Sequence, residues 1–208
     1  GDLSSFILTW MLICLPLMFV MRSSAASLLF ISGITYFAVL TGYNSHTPAE
    51  YYLYWLMFLT ELVYYFLLYK RNPAGNFMVI HNWLIPYSLV ITLATISENH
   101  TDLIFIAYIS LFGLFYLIGN TSFFKNQRPW NQGYTILGNI GTISLLMALS
   151  FDWFWEELRR TSFKMSEVLI SSEFIACVII TIPALILLYT QIRKKSLLNI
   201  KPIEPVFV

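Results

Sequence analysis

The sequence predicts an all-α protein, a polytopic transmembrane bundle of about seven helices with its N-terminus outside and its C-terminus cytoplasmic. Three observations lead there. First, the 208 residues are 58% hydrophobic and only 11% charged, where soluble domains carry about 25% charged residues. Mean hydropathy is +0.69. Second, the apolar residues come in long unbroken stretches. Backbone groups in lipid must be satisfied inside helices or closed barrels, and barrel strands would alternate apolar with polar residues. Third, Lys and Arg fall almost entirely in every second gap between the stretches.

A spanning helix needs about 20 mostly apolar residues, and seven stretches qualify. The first, 3–21, contains Cys14 and Pro16 and closes on Met21-Arg22-Ser23-Ser24. The second is 25–43. The third, 51–69, opens with Tyr51, Tyr52 and Tyr54 and closes with Tyr64, Tyr65 and Tyr69, rings expected at the two membrane interfaces. The fourth, 77–97, carries Pro86, and the fifth is 103–119. In the sixth, 133–151, Gly138, Gly141 and Thr142 share one face with Asn139 beside them. Small residues there let helices approach closely. The seventh, 168–192, holds Cys177 and Pro183, and residues 193–208 form a basic cytoplasmic tail. The gaps are short, so sequential helices should pack as antiparallel neighbours. The three helix prolines read as kinks, with a hinge as the sharper alternative.

Of the 12 cations, nine (Arg22, Lys70, Arg71, Lys125, Arg128, Arg193, Lys194, Lys195 and Lys201) share one side, and Arg159, Arg160 and Lys164 the other. The positive-inside rule makes the first side cytoplasmic. The last outer connection, 151–168, places Phe151, Phe154, Trp155 and Leu158 at amphipathic spacing, with Glu156 and Arg160 paired at i, i+4. It reads as a helix lying on the outer leaflet, or as a docking site for a protein partner.

Few residues suggest chemistry. Glu61 sits mid-helix in the third stretch, where a carboxyl is costly unless it faces the bundle interior or is protonated. It reads as a proton relay or cation site, or as a protonated side chain bonded across helices to Asn139 or a tyrosine. Glu173 lies near the outer end of the seventh helix, within reach of interfacial water, and could line a cavity with Glu61. His46, Glu50, Glu98, His100 and Asp102 occupy two outer loops, and they read as solvated polar residues rather than a metal site. His81 alone lies near membrane depth, which excludes a haem held by two histidines in the bundle. The seventh helix has no Lys for a retinal Schiff base and no Asn-Pro-x-x-Tyr. No phosphate loop, nucleophile elbow or metalloprotease helix is present. No catalytic, cofactor or metal residue is therefore assigned, and a formal net charge of +1 argues against a nucleic-acid partner. Cys14 and Cys177 read as free thiols in apolar surroundings.

Three places carry a resemblance. Gly1-Asp2-Leu3-Ser4-Ser5-Phe6 leads into Leu15-Pro16-Leu17 and Met21-Arg22-Ser23-Ser24. Arg128-Pro129, Gly133-Tyr134 and Leu137-Gly138 open the sixth helix. Leu149-Ser150-Phe151 precedes the aromatic cluster at Trp155. In these the chain resembles a bacterial family of multi-pass membrane proteins of unknown function. The resemblance implies the bacterial cytoplasmic (inner) membrane and supplies no site. Members are usually longer upstream, so this chain is expected to be part of a longer one.

Three function classes follow. The first is a non-enzymatic structural or sensory membrane module, favoured because ionisable residues inside the membrane are few. The second is a small-solute or proton-coupled transporter using Glu61, and the third a membrane enzyme on a lipid substrate. A transporter predicts a water-filled cavity reaching Glu61, whereas a scaffold predicts a dry, closed core.

Overall fold

A computed structural model describes residues 3–44, 48–96, 101–125, 129–152, 155–156 and 171–194. These form eight α-helices: α1 (Leu3–Phe19), α2 (Ser24–Asn44), α3 (Pro48–Arg71), α4 (Asn76–Ala94), α5 (Thr101–Gly119), the short α6 (Ser122–Lys125), α7 (Gly133–Leu149) and α8 (Ser172–Lys194). All seven apolar stretches are helical, with ends shifted by a few residues for local reasons. Helix α1 stops at Phe19, and the chain turns through Arg22, a non-glycine residue with φ 51°. Ser23 then caps α2, its hydroxyl accepting the Ala26 N–H at 3.3 Å. Helix α3 begins early because Pro48 suits a first helical position. It ends in Lys70 and Arg71, which complement the helix dipole. Helix α4 stops short of 97, where the Thr95 hydroxyl donates to the Thr92 carbonyl at 2.7 Å. Helix α8 starts at Ser172, and Ser171 accepts the Phe174 N–H at 3.2 Å. Pro16, Pro86 and Pro183 all lie inside helices.

The chain divides into two compact units, Gly1–Thr95 and Ile96–Val208. In the first, α2 packs against α1, α3 and α4 and buries Phe30, Ile31, Ile34, Phe37 and Ala38. In the second, α5 takes the central place between α7 and α8. The small-residue face of α7 meets α5 there. A Cβ at Gly138 would lie 2.9 Å from the Phe112 carbonyl oxygen and the Tyr116 nitrogen, and one at Gly141 would overlap the Phe112 ring. Thr181 of α8 donates to Ser110 at 2.8 Å, and the Gln191 amide donates to the Leu117 carbonyl at 2.8 Å.

Polarity runs inside out. Leu56 is 63% exposed and Leu59 59%, while Glu61 on the same helix is 0% exposed. Among the described residues, three helical segments are long and apolar enough to cross a membrane: Ser24–Gly42, Asn76–Ala94 and Ser172–Arg193. Two of the tyrosines expected at an interface belong to the core instead, since Tyr54 and Tyr64 are buried. A tyrosine's amphipathic ring fits an interface or a hydrogen-bonded interior equally well, and here partners on neighbouring helices decide for the interior. Of the two cysteines, both free, Cys14 is buried and Cys177 half-buried. The side chains of Tyr51 and Tyr52, the outer-loop set from His46 to Asp102, most of 151–168 and nearly all of the basic tail lie outside the described residues. At the start of that outer connection the Trp155 indole N–H donates to the Leu149 carbonyl at 2.8 Å.

Candidate functional site

Three helices of the first unit each turn a polar stripe inward. On α3 the buried residues are Tyr54, Met57, Phe58, Glu61, Tyr64 and Leu68. On α4 they include Met78, His81, Asn82, Ile85, Ser88 and Thr92. Both series keep the three- and four-residue spacing of one helix face, and α2 supplies Ser27 opposite them. The result is a buried carboxyl–hydroxyl–imidazole cluster. Ser27 Oγ lies 2.6 Å from Glu61 Oε1 and 2.7 Å from His81 Nε2. The imidazole and the carboxyl oxygen approach directly to 3.3 Å. All three residues are 0% exposed.

The hydrogen count in this cluster is restrictive. His81 Nδ1 lies 2.6 Å from the Phe77 carbonyl oxygen, which can only accept, so Nδ1 carries a hydrogen. Two arrangements then satisfy the same heavy atoms. In one, a protonated Glu61 donates to Ser27 and the Ser27 hydroxyl donates to Nε2. In the other, Ser27 donates to the carboxylate and Nε2–H donates to Ser27. Moving two hydrogens along the chain Glu61–Ser27–His81 converts the uncharged pair into a carboxylate–imidazolium pair without moving a heavy atom, and the net charge of the cluster stays zero. Glu61 Oε2 is buried with no hydrogen-bond partner, as is the Asn82 amide nitrogen. The Asn82 oxygen accepts the Tyr65 hydroxyl at 2.7 Å.

Polar layers lie to either side. Toward the α1–α2 turn, Ser24 and Tyr64 hydroxyls meet at 3.2 Å, one helical turn from Ser27 and Glu61. Beside them opens a cavity of about 390 Å³ lined by Arg22, Ser24, Arg71 and Phe77 among others. Toward the opposite end, Ser88 joins Thr35 at 2.6 Å and Tyr54 at 3.0 Å, and Thr92 donates to Tyr54 at 3.0 Å. Seven residues of helix, about 10 Å of rise, separate Glu61 from Tyr54. Ile31, Phe58 and Ile85 fill that interval and are buried. The cluster therefore has a polar neighbour one turn away on the Arg22 side and an apolar plug on the other.

Of the three residues singled out from sequence, Glu61 belongs to the first unit and Asn139 and Glu173 to the second. Glu61 stands in the first unit with Ser27 and His81, where Asn139 or a tyrosine was anticipated. Asn139 lies on α7 in the second unit, and its side-chain oxygen is buried without a partner. Glu173 stands in the first turn of α8 and is 1% exposed rather than water-exposed, with the Ser172 hydroxyl donating to Oε2 at 3.1 Å. Ser27 and His81 were missed as partners. The signal for His81 was its phase, because Ser88 and Thr92 follow it on the same face as Met78 and Ile85. Among the described residues no group of three or more His, Cys, Asp or Glu side chains comes together.

No family model, no curated protein and no solved structure matches this chain.

Proposed function

We propose that this chain is a seven-span helical protein of the bacterial cytoplasmic membrane, N-terminus outside and C-terminus cytoplasmic. In this reading it works as a non-enzymatic sensory module whose responsive element is a proton held between Glu61, Ser27 and His81. The observation that supports it best is the cluster itself: an acid, a hydroxyl and an imidazole in mutual hydrogen-bond contact, sealed from solvent in the core of the first unit. An ionisable pair inside a membrane bundle is expensive and by default functional. The full burial of all three residues favours a sensor or scaffold over a conduit. The seven apolar helices, the alternation of cations and the resemblance to multi-pass membrane proteins support the topology. Fluorescence of a green fluorescent protein fused to the C-terminus checks it, since such a fusion matures only on the cytoplasmic side.

A second reading, proton-coupled transport, is favoured by the unpartnered Glu61 Oε2 and by the polar layer one turn away at Ser24 and Tyr64. One experiment separates the two. The protein is reconstituted in vesicles with a trapped pH dye and examined in parallel by infrared difference spectroscopy across a step in membrane potential. The sensory reading expects a carboxyl band that responds to the step and vanishes in Glu61→Gln, with no proton flux. Flux abolished by Glu61→Gln establishes transport instead. The absence of both signals reduces the cluster to a structural lock.

A further inference from the structure

We propose that the first unit carries a binding site for the phosphate of an anionic phospholipid at the α1–α2 turn. Two cavities adjoin there and share Arg22, Leu68 and Arg71. The first, about 390 Å³, brings Ser23, Ser24, Asn72 and Asn76 to the arginines. The second, about 420 Å³, brings Lys70 and Tyr64 together with the apolar Phe19 and Leu67. Both fall within the range of about 300–1,000 Å³ common to small-molecule pockets. A headgroup phosphate on the shared arginines, with its acyl chain along Phe19, Leu67 and Leu68, fits this lining.

The electrostatics point the same way. Three cations from two segments line the pair of cavities, and among the described residues no carboxylate does. The guanidinium fork suits phosphate oxygens in a bidentate manner. Helices α2 and α4 both begin at the first cavity, bringing the positive ends of their dipoles. The N-cap of α4 is Gly75, which provides no side-chain hydrogen bond to the first-turn N–H groups. Arg22 occupies the left-handed region with φ 51°, a conformation that favours glycine. Basic pockets between spanning helices on the cytoplasmic side take phospholipid headgroups in this way. The choice of lipid rests on the membrane reading above, but the cations and cavities do not.

The test exploits the Arg22 backbone. Purified protein in neutral detergent is titrated with short-chain phosphatidylglycerol, short-chain phosphatidylcholine and inorganic phosphate, reading bound ligand by native mass spectrometry and thermal stability by circular dichroism. The wild type is expected to retain phosphatidylglycerol over phosphatidylcholine. Arg22→Gly is expected to lose about fivefold or more in that retention with a Tm no lower than the wild type, because glycine relieves the backbone. Arg71→Gln should lose a similar factor. Stabilisation by inorganic phosphate that the two variants abolish, without selective lipid retention, assigns the same site to a free phosphate. Equal retention of both lipids, unchanged in the Arg22→Gly, Arg71→Gln double variant and with no phosphate effect, overturns the proposal. A failure to reconstitute into vesicles counts against the membrane reading alone.

Discussion

Replacing Glu61 by Gln keeps the side-chain shape and removes the exchangeable proton, and the geometry gives the expected cost. The new amide nitrogen can donate to Ser27 Oγ across the 2.6 Å separation now spanned from Oε1, leaving the Ser27 hydroxyl to donate to His81 Nε2 at 2.7 Å. The amide oxygen then occupies the place of Oε2, which already lacks a partner. One amide hydrogen remains, facing an imidazole nitrogen at 3.3 Å. A typical hydrogen bond contributes a net 0.5–1.5 kcal/mol and an unmet buried donor costs roughly 1–3 kcal/mol. The expected loss of stability is therefore about 1–3 kcal/mol, with the fold retained. A locked carboxylate–imidazolium pair behaves differently. Removing the carboxylate strands a buried cation, at a cost of roughly 3–5 kcal/mol. The assay is equilibrium unfolding in mixed micelles of rising dodecyl sulfate content, followed by helix circular dichroism, with Glu61→Ala run alongside. A Glu61→Gln loss near 5 kcal/mol, or one equal to that of Glu61→Ala, would refute the hydrogen-transfer account of the cluster.

Further outcomes follow from neighbouring contacts. Ser27→Ala removes both bridging bonds and leaves Glu61 and His81 in a long direct contact, so a loss of about 2–3 kcal/mol is expected, measured by the same unfolding titration. Tyr54→Phe deletes one hydroxyl from the Ser88–Thr92 layer and should cost about 1 kcal/mol. It should leave the Glu61 infrared band unchanged, and a shifted band would show that the apolar plug does not insulate the two layers. Gly138→Ala forces a Cβ onto backbone atoms of α5 and should destabilise by about 1–3 kcal/mol. Gly33→Ala meets only the end of the Met11 side chain, which can swing aside, so its loss in chemical unfolding should be the smaller of the two.

The helices were legible in the sequence because a continuous apolar stretch in this composition admits little else. Their ends were less legible, since Pro48 starts α3 three residues before the apolar stretch and Ser23 and Ser171 cap helices that the stretches alone did not bound. Glu61 was legible for the same reason, a lone acid midway along an apolar helix. Its partners were not. Helical periodicity says which face a residue shares with its own neighbours, but the axial offset of one helix against another comes from packing. That offset is what brings Ser27 and His81 to the same height as Glu61. A serine in a membrane helix carries no signal of its own, because its hydroxyl can bond the carbonyl one turn back, as Ser32 does to Leu28 at 2.9 Å. Tyr54 and Tyr64 were assigned to the interface on residue type, whereas the hydroxyls of Ser88 and Ser24 draw them inward. The division into two units, each around one central helix, is a property of three-dimensional neighbours that short gaps alone do not reveal.

The spacing of the cluster along the chain bears on how the protein is made. Ser27 precedes Glu61 by 34 residues and His81 by 54. A ribosome adding roughly 5–20 residues per second therefore delivers the hydroxyl first, the acid next and the imidazole about one to four seconds later. Helix α3, which carries the acid, is not among the three long and apolar enough to cross a membrane unaided. In the seven-span reading proposed above, its carboxyl has only Ser27 for company during that interval, so α3 would have to be held beside α2 until α4 arrives, and the first four helices would enter the bilayer as one group. A nascent chain arrested when Arg71 but not His81 has left the ribosome should leave α3 accessible to modifying reagents in the aqueous phase, while a longer chain arrested once Ala94 has emerged should not.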